Sequence, residues 1–574
     1  MASQILDYSK DNGLVICQNH GEANNNVERL YIADVKKLKA YAVLFRRFYR
    51  NDEDSKPYHS EPAVCIFKEE DVLFNSPDHI ALHAALWSAG KNEVYIILGK
   101  TRADIINARK PAESANKKLS INNLKLGEVL KGVNDERFSA YLFGSGTFWE
   151  RSEFSGKLDE KNSPYIYLLN YLLAVRKSFL DSRTGLNLPP ATVDKLLVVS
   201  ILVKFLEEIK DDDGKHTLDS IYKKYKVKNF SEAVMADFTL EIFNDLATEF
   251  NGKIFDKFTD VEKRKIKSTD PTLLSQFLSA NINLATQQYF LWEQYSFNHL
   301  PPEVISAIYE NFIQADARRQ NGQHEKGVVY TPIHLVNFLI DEVMPLDNPK
   351  LFQNESFKVL DPTCGSGVFL VSAFKRLLQW WAINNSSKDN IQYPNSKVSQ
   401  KILEENIFGV DVKETAILVS ILGLTIAMLD KLTPKEIWNK LKFKDLSEKN
   451  LKQANFFHWA VKTKSSGESF DLVIGNPPFN PETGLKKEQV LVSSLLKELD
   501  LTHEIPGGNF ALHFFEGSMT LAKKVCMIIP SNVLLYNKDA QEYRRKLFTD
   551  YTVSEIFDFT HLRYCKTIKV TNLV

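Results

Sequence analysis

The sequence predicts an α/β protein: a Rossmann-like cofactor-binding domain preceded by a helical region and a small N-terminal α/β unit. Three observations predict it. An apolar segment over 357–360 runs into Asp361-Pro362-Thr363-Cys364-Gly365-Ser366-Gly367, and a helical pattern follows at once. A second apolar segment, 469–474, ends in Gly475-Asn476-Pro477-Pro478-Phe479. Around them, strand-like and helix-like stretches alternate, as in a largely parallel sheet.

With 574 residues the chain is too long for one core, and roughly three to four domains are expected. Hydrophobic content is 44% and charged content 25%, ordinary for a globular protein. Lys plus Arg equals Asp plus Glu, 72 each, so no global basic field announces a nucleic acid, although a groove needs only a local patch. The five cysteines are scattered, with no zinc-type spacing, which predicts no metal centre and a reducing, cytoplasmic setting. The N-terminus lacks an apolar signal segment, and the best apolar run, 196–206, is short and carries Lys204, so no membrane span is expected.

Residues 1–115 read as the small α/β unit. Strands are expected at 63–67 and 94–98, a helix at 80–89 between them, another helical run over 29–47, and a closing turn over 105–111. A nuclease there would need convergent carboxylates and a lysine. The nearest candidates are Asp34-Val35-Lys36 and Phe67-Lys68-Glu69, and Asp34 reads better as a solvated helix charge.

Residues 116–315 predict a helical connector. Helices are expected at 166–180, 193–209, 230–250 and 301–312, with Pro189-Pro190 and Pro301-Pro302 as helix starts and 144–149 as a turn. Their charges predict a solvated face.

Residues 316–574 form the expected cofactor domain. Tyr330-Thr331-Pro332 opens a helix through Leu335, Leu339 and Val343, with Thr331 as N-cap and Pro332 at the first helical position. The exposed N–H groups of such a helix start suit a carboxylate, although a plain capped helix reads the same way. Gly365 and Gly367 let the backbone turn sharply and approach a ligand, ahead of a helix over 368–378. A polar loop is expected over 384–400, then a strand, 407–411, that ends in Asp411 with Val412 beside it. An acid at the end of the second strand of a doubly wound sheet is placed to hold ribose hydroxyls. A helix over 414–429, a loop over 455–459, helices over 510–522 and 540–549, and strands over 524–529 and 553–559 complete the pattern; 480–488 reads as a surface loop or a flap.

Asn476-Pro477-Pro478-Phe479 is the most specific stretch. Two prolines remove two donors and fix φ twice, making a stiff loop. The Asn side-chain oxygen and a proline carbonyl are acceptors that can take both N–H groups of one exocyclic amine. Such an amine is a poor nucleophile because its lone pair is conjugated. Acceptors on its hydrogens favour a more tetrahedral nitrogen and stabilise the charge that develops as a methyl arrives. Phe479 offers an aromatic face to a base.

In motif order and content these residues resemble the gamma class of DNA adenine-N6 methyltransferases, and more closely the fused type IIG restriction–modification proteins and type I modification subunits. The motifs run Tyr330-Thr331-Pro332, the Gly-rich turn, Gly409-Val410-Asp411, then Asn476-Pro477-Pro478-Phe479. Looser likenesses at 85–111, 144–150, 251–255 and 305–312 extend the resemblance over nearly the whole chain. It implies S-adenosyl-L-methionine (AdoMet) as cofactor, no metal for methyl transfer, and double-stranded DNA with a flipped adenine as substrate. Tyr330, Thr331 and Pro332 would lie at the cofactor's methionine part, which Thr331 would contact. Asp361, Thr363, Gly365 and Gly367 would line it, and Asp411 with Val412 would meet the ribose side. Asn455 and Phe456 would lie at its adenine. Asn476, Pro477 and Pro478 would form the clamp on N6, with Phe479 stacked on the extruded base. The chain departs from the family in having Asn455 where Asp is usual. It also ends where the family continues, which suggests truncation before a target-recognition domain, or a separate specificity or restriction subunit. Alternatives are a protein glutamine methyltransferase, a fused endonuclease–methyltransferase, and a binding subunit or remnant without activity of its own.

Overall fold

The computed structural model describes residues 5–573 apart from 19–21, 50–56, 58, 116–117, 134, 159–162, 181–187, 211–216, 251–254, 256–257, 284–287, 290–292, 307, 310–311, 313–330, 388–389, 448, 480–491, 493, 496, 500–503, 507–508 and 560–571. The flap reading over 480–488 and Tyr330 therefore fall outside the described residues, and of the helix expected over 301–312 residues 302–306, 308, 309 and 312 are helical while 307, 310 and 311 lie outside the described residues.

Near the N-terminus, a six-stranded sheet runs in chain order: β1 (Leu14–Ile16), β2 (Ala42–Phe48), β3 (His59–Lys68), β4 (Val94–Leu98), β5 (Arg102–Asn107) and β6 (Lys125–Leu130). Only the β3–β4 pairing is parallel, which requires a crossover, and α2 (Pro77–Ala89) supplies it. The helical run expected over 29–47 is instead α1 (Asn26–Lys36) followed by β2. Asn25 caps the helix, and Lys39 at φ +62° turns the chain away after it. The turn expected over 105–111 begins inside β5. Asp34 is not simply solvated: its carboxylate lies 3.1 Å from Lys431 in the C-terminal third of the chain. Lys68 pairs with Glu70, and Glu69 with Arg102.

The helical region contains α3 (Pro164–Leu180), α4 (Pro190–Glu208), α5 (Phe230–Met235), α6 (Thr239–Glu249) and α7 (Thr272–Ser279). The single helix expected over 230–250 is divided between α5 and α6 by Asp237 at φ +62°. The turn expected over 144–149 is largely helical, formed by Ala140–Ser145 and Thr147–Glu150. Not all the charges face solvent, since Arg176–Asp194 and Lys204–Glu207 are buried ion pairs.

The C-terminal part is doubly wound. After α8 (Ile333–Val343) come β7 (Val359–Asp361), α9 (Val368–Asn385), α10 (Ser396–Asn406), β8 (Ile407–Asp411), α11 (Glu414–Leu429), β9 (Leu451–Gln453), α12 (Phe456–Ser465), β10 (Phe470–Gly475), α13 (Phe510–Met519), β11 (Ala522–Met527) and α14 (Gln541–Asp550). The five strands are parallel in the order β9-β8-β7-β10-β11. Strand order therefore reverses between β7 and β10, and the carboxyl ends flanking such a reversal form a crevice.

Alternation along the strands sorts the core. Val359, Ile407 and Leu472 face one side, continuous with α9, α11 and the helical region. Leu360, Phe408 and Val473 face the other, against α12 and α13. α11 is apolar almost all round because it is buried between the sheet layer and α4. The polar loop expected over 384–400 is shorter, since α9 extends to Asn385 and α10 begins at Ser396. The loop expected over 455–459 is the first turn of α12, capped by Asn455. Residues 553–559 do not add a strand to this sheet; the Phe557 and Phe559 rings pack against Phe338 of α8 instead. Among the described residues no helix is long and apolar enough to cross a membrane.

Candidate active site

The two diagnostic stretches leave the sheet side by side. β7 and β10 are hydrogen-bonded neighbours, with Val359 opposite Leu472 and Leu360 opposite Val473. Parallel neighbours must deliver their following turns to the same edge.

The first turn is built around Asp361, which is 1% exposed. Its Oδ1 accepts the Thr363 N–H at 3.0 Å. The Cys364 N–H donates to Val410 O, and the Gly367 N–H closes the turn on Cys364 O at 2.7 Å. Gly365 and Gly367 adopt φ of +52° and +80°, the left-handed region where a Cβ is costly. At Gly367 a Cβ would also stand 2.7 Å from Ser420 Oγ and 2.9 Å from Ser420 Cα. At Gly365 the nearest atom would be 3.8 Å away, so this side of the turn has room for a ligand.

Asp411 crosses from the end of β8 to the same turn. Its Oδ2 accepts the Gly365 N–H at 3.0 Å, and its Oδ1 accepts the Lys413 N–H at 2.8 Å. Burial pushes its carboxyl above the usual carboxylate range, opposed by these backbone donors. A carboxylate has about four acceptor sites, so capacity for hydroxyl donors is left. Next to it, Val412 is 62% exposed, an apolar side chain offered to the crevice rim.

Whether these residues fit AdoMet can be judged on the turn itself. Thr363 Oγ1 is buried with no hydrogen-bond partner, a cost that a polar ligand atom would remove. That atom, the space at Gly365 and the Asp411 carboxylate together match a ligand carrying hydroxyls and charged groups.

The second turn abuts the first. A Cβ on Gly475 would meet Asp361 Oδ1 at 2.7 Å, so only glycine lets the two turns approach this closely. Asn476 follows; it is half-buried, and its Nδ2 donates to Thr331 Oγ1 at 2.9 Å. Pro477 is buried and Pro478 half-buried. Phe479 is 9% exposed and packs into the core, a less open face than the sequence suggests. Its backbone carbonyl accepts from Asn509 Nδ2, whose own Oδ1 caps α13.

Thr331 is not the N-cap expected. α8 begins at Ile333 with Pro332 at the cap, whose ring has no acceptor to give a side-chain cap bond, and Thr331 Oγ1 accepts from Asn476 Nδ2. Thr331 is thus brought to Asn476. Asn455 is exposed, and its Oδ1 accepts the Phe457 and His458 N–H groups as the cap of α12. Phe456 is 3% exposed and stacks on Phe514, so its ring faces the core instead of the crevice.

Three supporting residues escaped sequence reasoning. Ser420 donates to Gly365 O at 3.0 Å and packs against Gly367; a buried hydroxyl in a largely apolar helix, which also carries Thr415 and Thr425, was the available signal. Asn509 had a cap signature before Phe510 but nothing to tie it to Phe479. Gly475 reads as an ordinary strand end until Asp361 is placed beside it. Among the described residues no group of three or more His, Cys, Asp or Glu is arranged to hold a metal ion.

Comparison with known proteins adds an independent view. Residues 405–564 match the family model described as Eco57I restriction-modification methylase, a segment that includes Asp411 and the Asn476–Phe479 turn but not the Gly-rich turn. The chain is 24% identical over 318 residues to the type II restriction enzyme and methyltransferase RM.Eco57I of Escherichia coli, covering 47% of this chain and 32% of that protein. It is 32% identical over 130 residues to the adenine-specific methyltransferase BrxX of Escherichia coli O9:H4 (strain HS), covering 21% of this chain and 10% of that protein. Among solved structures it is similar to the type IIG restriction endonuclease BpuSI, with a TM-score of 0.40 and 11% identity over 93% of this chain and 52% of that one. The chain thus spans about a third of the first curated relative and a tenth of the second.

Proposed function

We propose that this chain is an AdoMet-dependent DNA methyltransferase acting on N6 of adenine within a restriction–modification or phage-defence system. One observation carries the reading: the Asn476-Pro477-Pro478-Phe479 turn leaves the strand next to the Gly-rich turn, with Gly475 against Asp361. The similarity to adenine-specific methyltransferases supports it.

Thr363, Gly365 and Gly367 would hold AdoMet at the first turn, with Asp361 fixing the turn's shape. Asp411 and Val412 would meet its nucleoside side, and Tyr330, Thr331 and Pro332 would border its methionine side. Asn455 and Phe456 would shape the adenine end through the backbone entering α12. Bound there, AdoMet supplies an electrophilic methyl group. The chain's own work is done by Asn476 Oδ1 and the Pro477 carbonyl, which accept the two N6 hydrogens. They raise the electron density at nitrogen and stabilise its developing positive charge. The two prolines keep those acceptors from reorganising, and Phe479 borders the base after it has left the duplex. Reading of a DNA sequence would fall to a recognition domain or a partner subunit.

The test is incubation of the chain with methyl-labelled AdoMet and mixed-sequence double-stranded DNA, followed by nucleoside analysis. Label in N6-methyladenine is expected. AdoMet binding by calorimetry with label on protein glutamine, and none on DNA, would replace this reading with the protein methyltransferase. A Mg2+-dependent cleavage assay on the same preparation separates it from a fused endonuclease–methyltransferase.

A further inference from the structure

We propose that the cavity where the three parts of the chain meet is a second binding site, for a sugar phosphate, free or as part of a nucleotide. It measures about 580 Å3, within the roughly 300–1,000 Å3 of ligand sites, which favour such junctions. Its walls come from α1 and α2, from residues 298–303, from α8 and α9, and from the end of α11. Neither the Gly-rich turn, Asp411 nor Asn476 lines it, so it is separate from the candidate active site. Among the described residues, three polar atoms of its lining side chains are buried without a hydrogen-bond partner: Ser372 Oγ, Tyr393 OH and Glu303 Oε2. Ser372 and Glu303 are each 7% exposed. Orphaned groups at that depth carry a burial cost that a bound partner removes.

Two charged groups decide what the partner is. Burial opposes ionisation of Glu303, but Lys375 Nζ donates to its Oε1 at 2.7 Å and holds the carboxyl below its usual range. An ionised carboxylate only accepts, so Oε2 calls for a donor such as a ligand hydroxyl. Lys91 stands at the mouth, its side chain 51% exposed, and its nearest carboxylate, Asp34, is 3.9 Å away, beyond hydrogen-bond reach. An ammonium only donates, so Lys91 calls for an acceptor. Lys431 and Arg376 are already engaged by Asp34, Asp430 and Asp341, which leaves Lys91 and the remaining Lys375 N–H groups to receive an anion. Six basic and four acidic side chains line the cavity, with His299 held neutral by burial, an excess of two positive charges. A phosphate monoester brings about that much negative charge on three oxygens, whereas a zwitterionic amino acid brings none in net. Lys91, Glu303 and Ser372 belong to the N-terminal unit, the helical region and the doubly wound part, so one bound molecule would bridge all three.

The test is calorimetry on the full chain. Ribose 5-phosphate and uridine 5′-monophosphate are the probes, and ribose, inorganic phosphate and glutamate the controls. Neither probe carries the adenine of AdoMet. One-to-one binding of at least one probe is expected, with every control weaker by roughly ten-fold or more. Lys91→Met, at the exposed mouth, should weaken probe binding by a similar factor. Ser372→Ala should weaken it too, while the melting temperature of the unliganded protein stays level or rises, because the hydroxyl removed has no partner. Failure of both probes to bind, or binding that either substitution leaves unchanged, would overturn the proposal. Inorganic phosphate or glutamate binding as tightly as the probes would also overturn it. A lower unliganded melting temperature in Ser372→Ala with unchanged binding would mean that ordered water fills the cavity instead. None of these readouts needs methyl transfer, so they stand or fall apart from the methyltransferase reading.

Discussion

Asn476 and Gly475 are neighbours with separable tasks, and substitution can tell them apart. On the proposed reading Asn476→Ala removes an acceptor for the substrate amine while the Asp361–Thr363 hydrogen bond that shapes the Gly-rich turn stays in place. AdoMet affinity by calorimetry should stay within about two-fold of wild type while methyl transfer falls below detection. Gly475→Ala places a Cβ 2.7 Å from Asp361 Oδ1 and drives that carboxylate off the Thr363 N–H. It should weaken AdoMet binding and cost about 1–3 kcal/mol of stability in thermal unfolding, as overpacking does. If both variants lose cofactor binding alike, cradle and clamp have been divided in the wrong place. Asp411 adds a pH signature. Burial raises its carboxyl above the ordinary 3.8, so its contribution to stability is present below that value and lost as pH rises through the folded pKa. Holding hydroxyl donors needs the ionised form, so AdoMet affinity should fall as pH drops through the same raised pKa. Asp411→Asn should flatten that acid limb in a calorimetric titration against pH.

Helix α2 carries the clearest element-scale prediction. The Asn75 N–H donates to His79 Nδ1, so Nε2 bears the proton it shares with Tyr95 OH at 2.9 Å. His83 Nε2 faces Lys110 O at 2.8 Å and must donate, so Nδ1 accepts from Tyr95 OH at 3.1 Å. The chain closes only with both imidazoles neutral, and burial pushes His79 down to about 3 and His83 to about 4. Both lie below the unfolded value of 6.5, so the unfolded state binds these protons first and stability falls as pH drops from 6.5 toward 4. The loss should reach on the order of 3 kcal/mol per histidine in urea titrations, and His83→Gln should blunt it. Elements of this kind differ in how far sequence reveals them. β4, β8 and α11 are legible because a predominantly apolar run sets their type and closely bounds their ends. The α1–β2 boundary is hidden because Lys39 adopts a left-handed conformation that nothing in its side chain announces. Residues 553–559 have strand-like composition, but a strand needs a neighbour, and here the rings find α8 instead. The clamp and Gly-rich turn are legible since their residues are unusual for packing. The turn of Thr331 toward Asn476 depends on two elements meeting and has no local signature.

At the scale of the whole molecule, the N-terminal sheet and the doubly wound sheet meet at Lys431, just beyond α11. Lys431 Nζ lies 3.1 Å from Asp34 of α1 and 3.1 Å from Asp430, with its side chain 15% exposed. Lys91, after α2, adds a longer contact of 3.9 Å to Asp34. Lys375 of α9 reaches Glu303 at 2.7 Å, and Arg376 joins Asp341 and Met344 O at the end of α8. The helix that begins at the Gly-rich turn is therefore tied along its length to the other parts of the molecule. Facing carboxylates hold the Lys431 ammonium well above its ordinary range, and its presence helps lower Asp430 to about 2. Lys431→Met removes the shared cation and leaves two carboxylates facing each other in a partly buried junction, with Lys91 at 3.9 Å from Asp34 as the weaker compensation. Uncompensated buried charge is the expensive case, so the loss should approach about 3 kcal/mol, less whatever solvent recovers at the exposed edge. Asp34→Asn in the same background should give back part of that loss, because the two sites share one interaction and their effects cannot add. Scanning calorimetry is the deciding measurement. If Lys431 couples the sheets, Lys431→Met should split or broaden the unfolding transition, with the N-terminal unit melting first. A single transition, merely shifted and equally shifted by Lys431→Met and the double variant, would mean that the apolar contacts around Trp87 and α4 do the coupling, and that the ion pairs only decorate the seam.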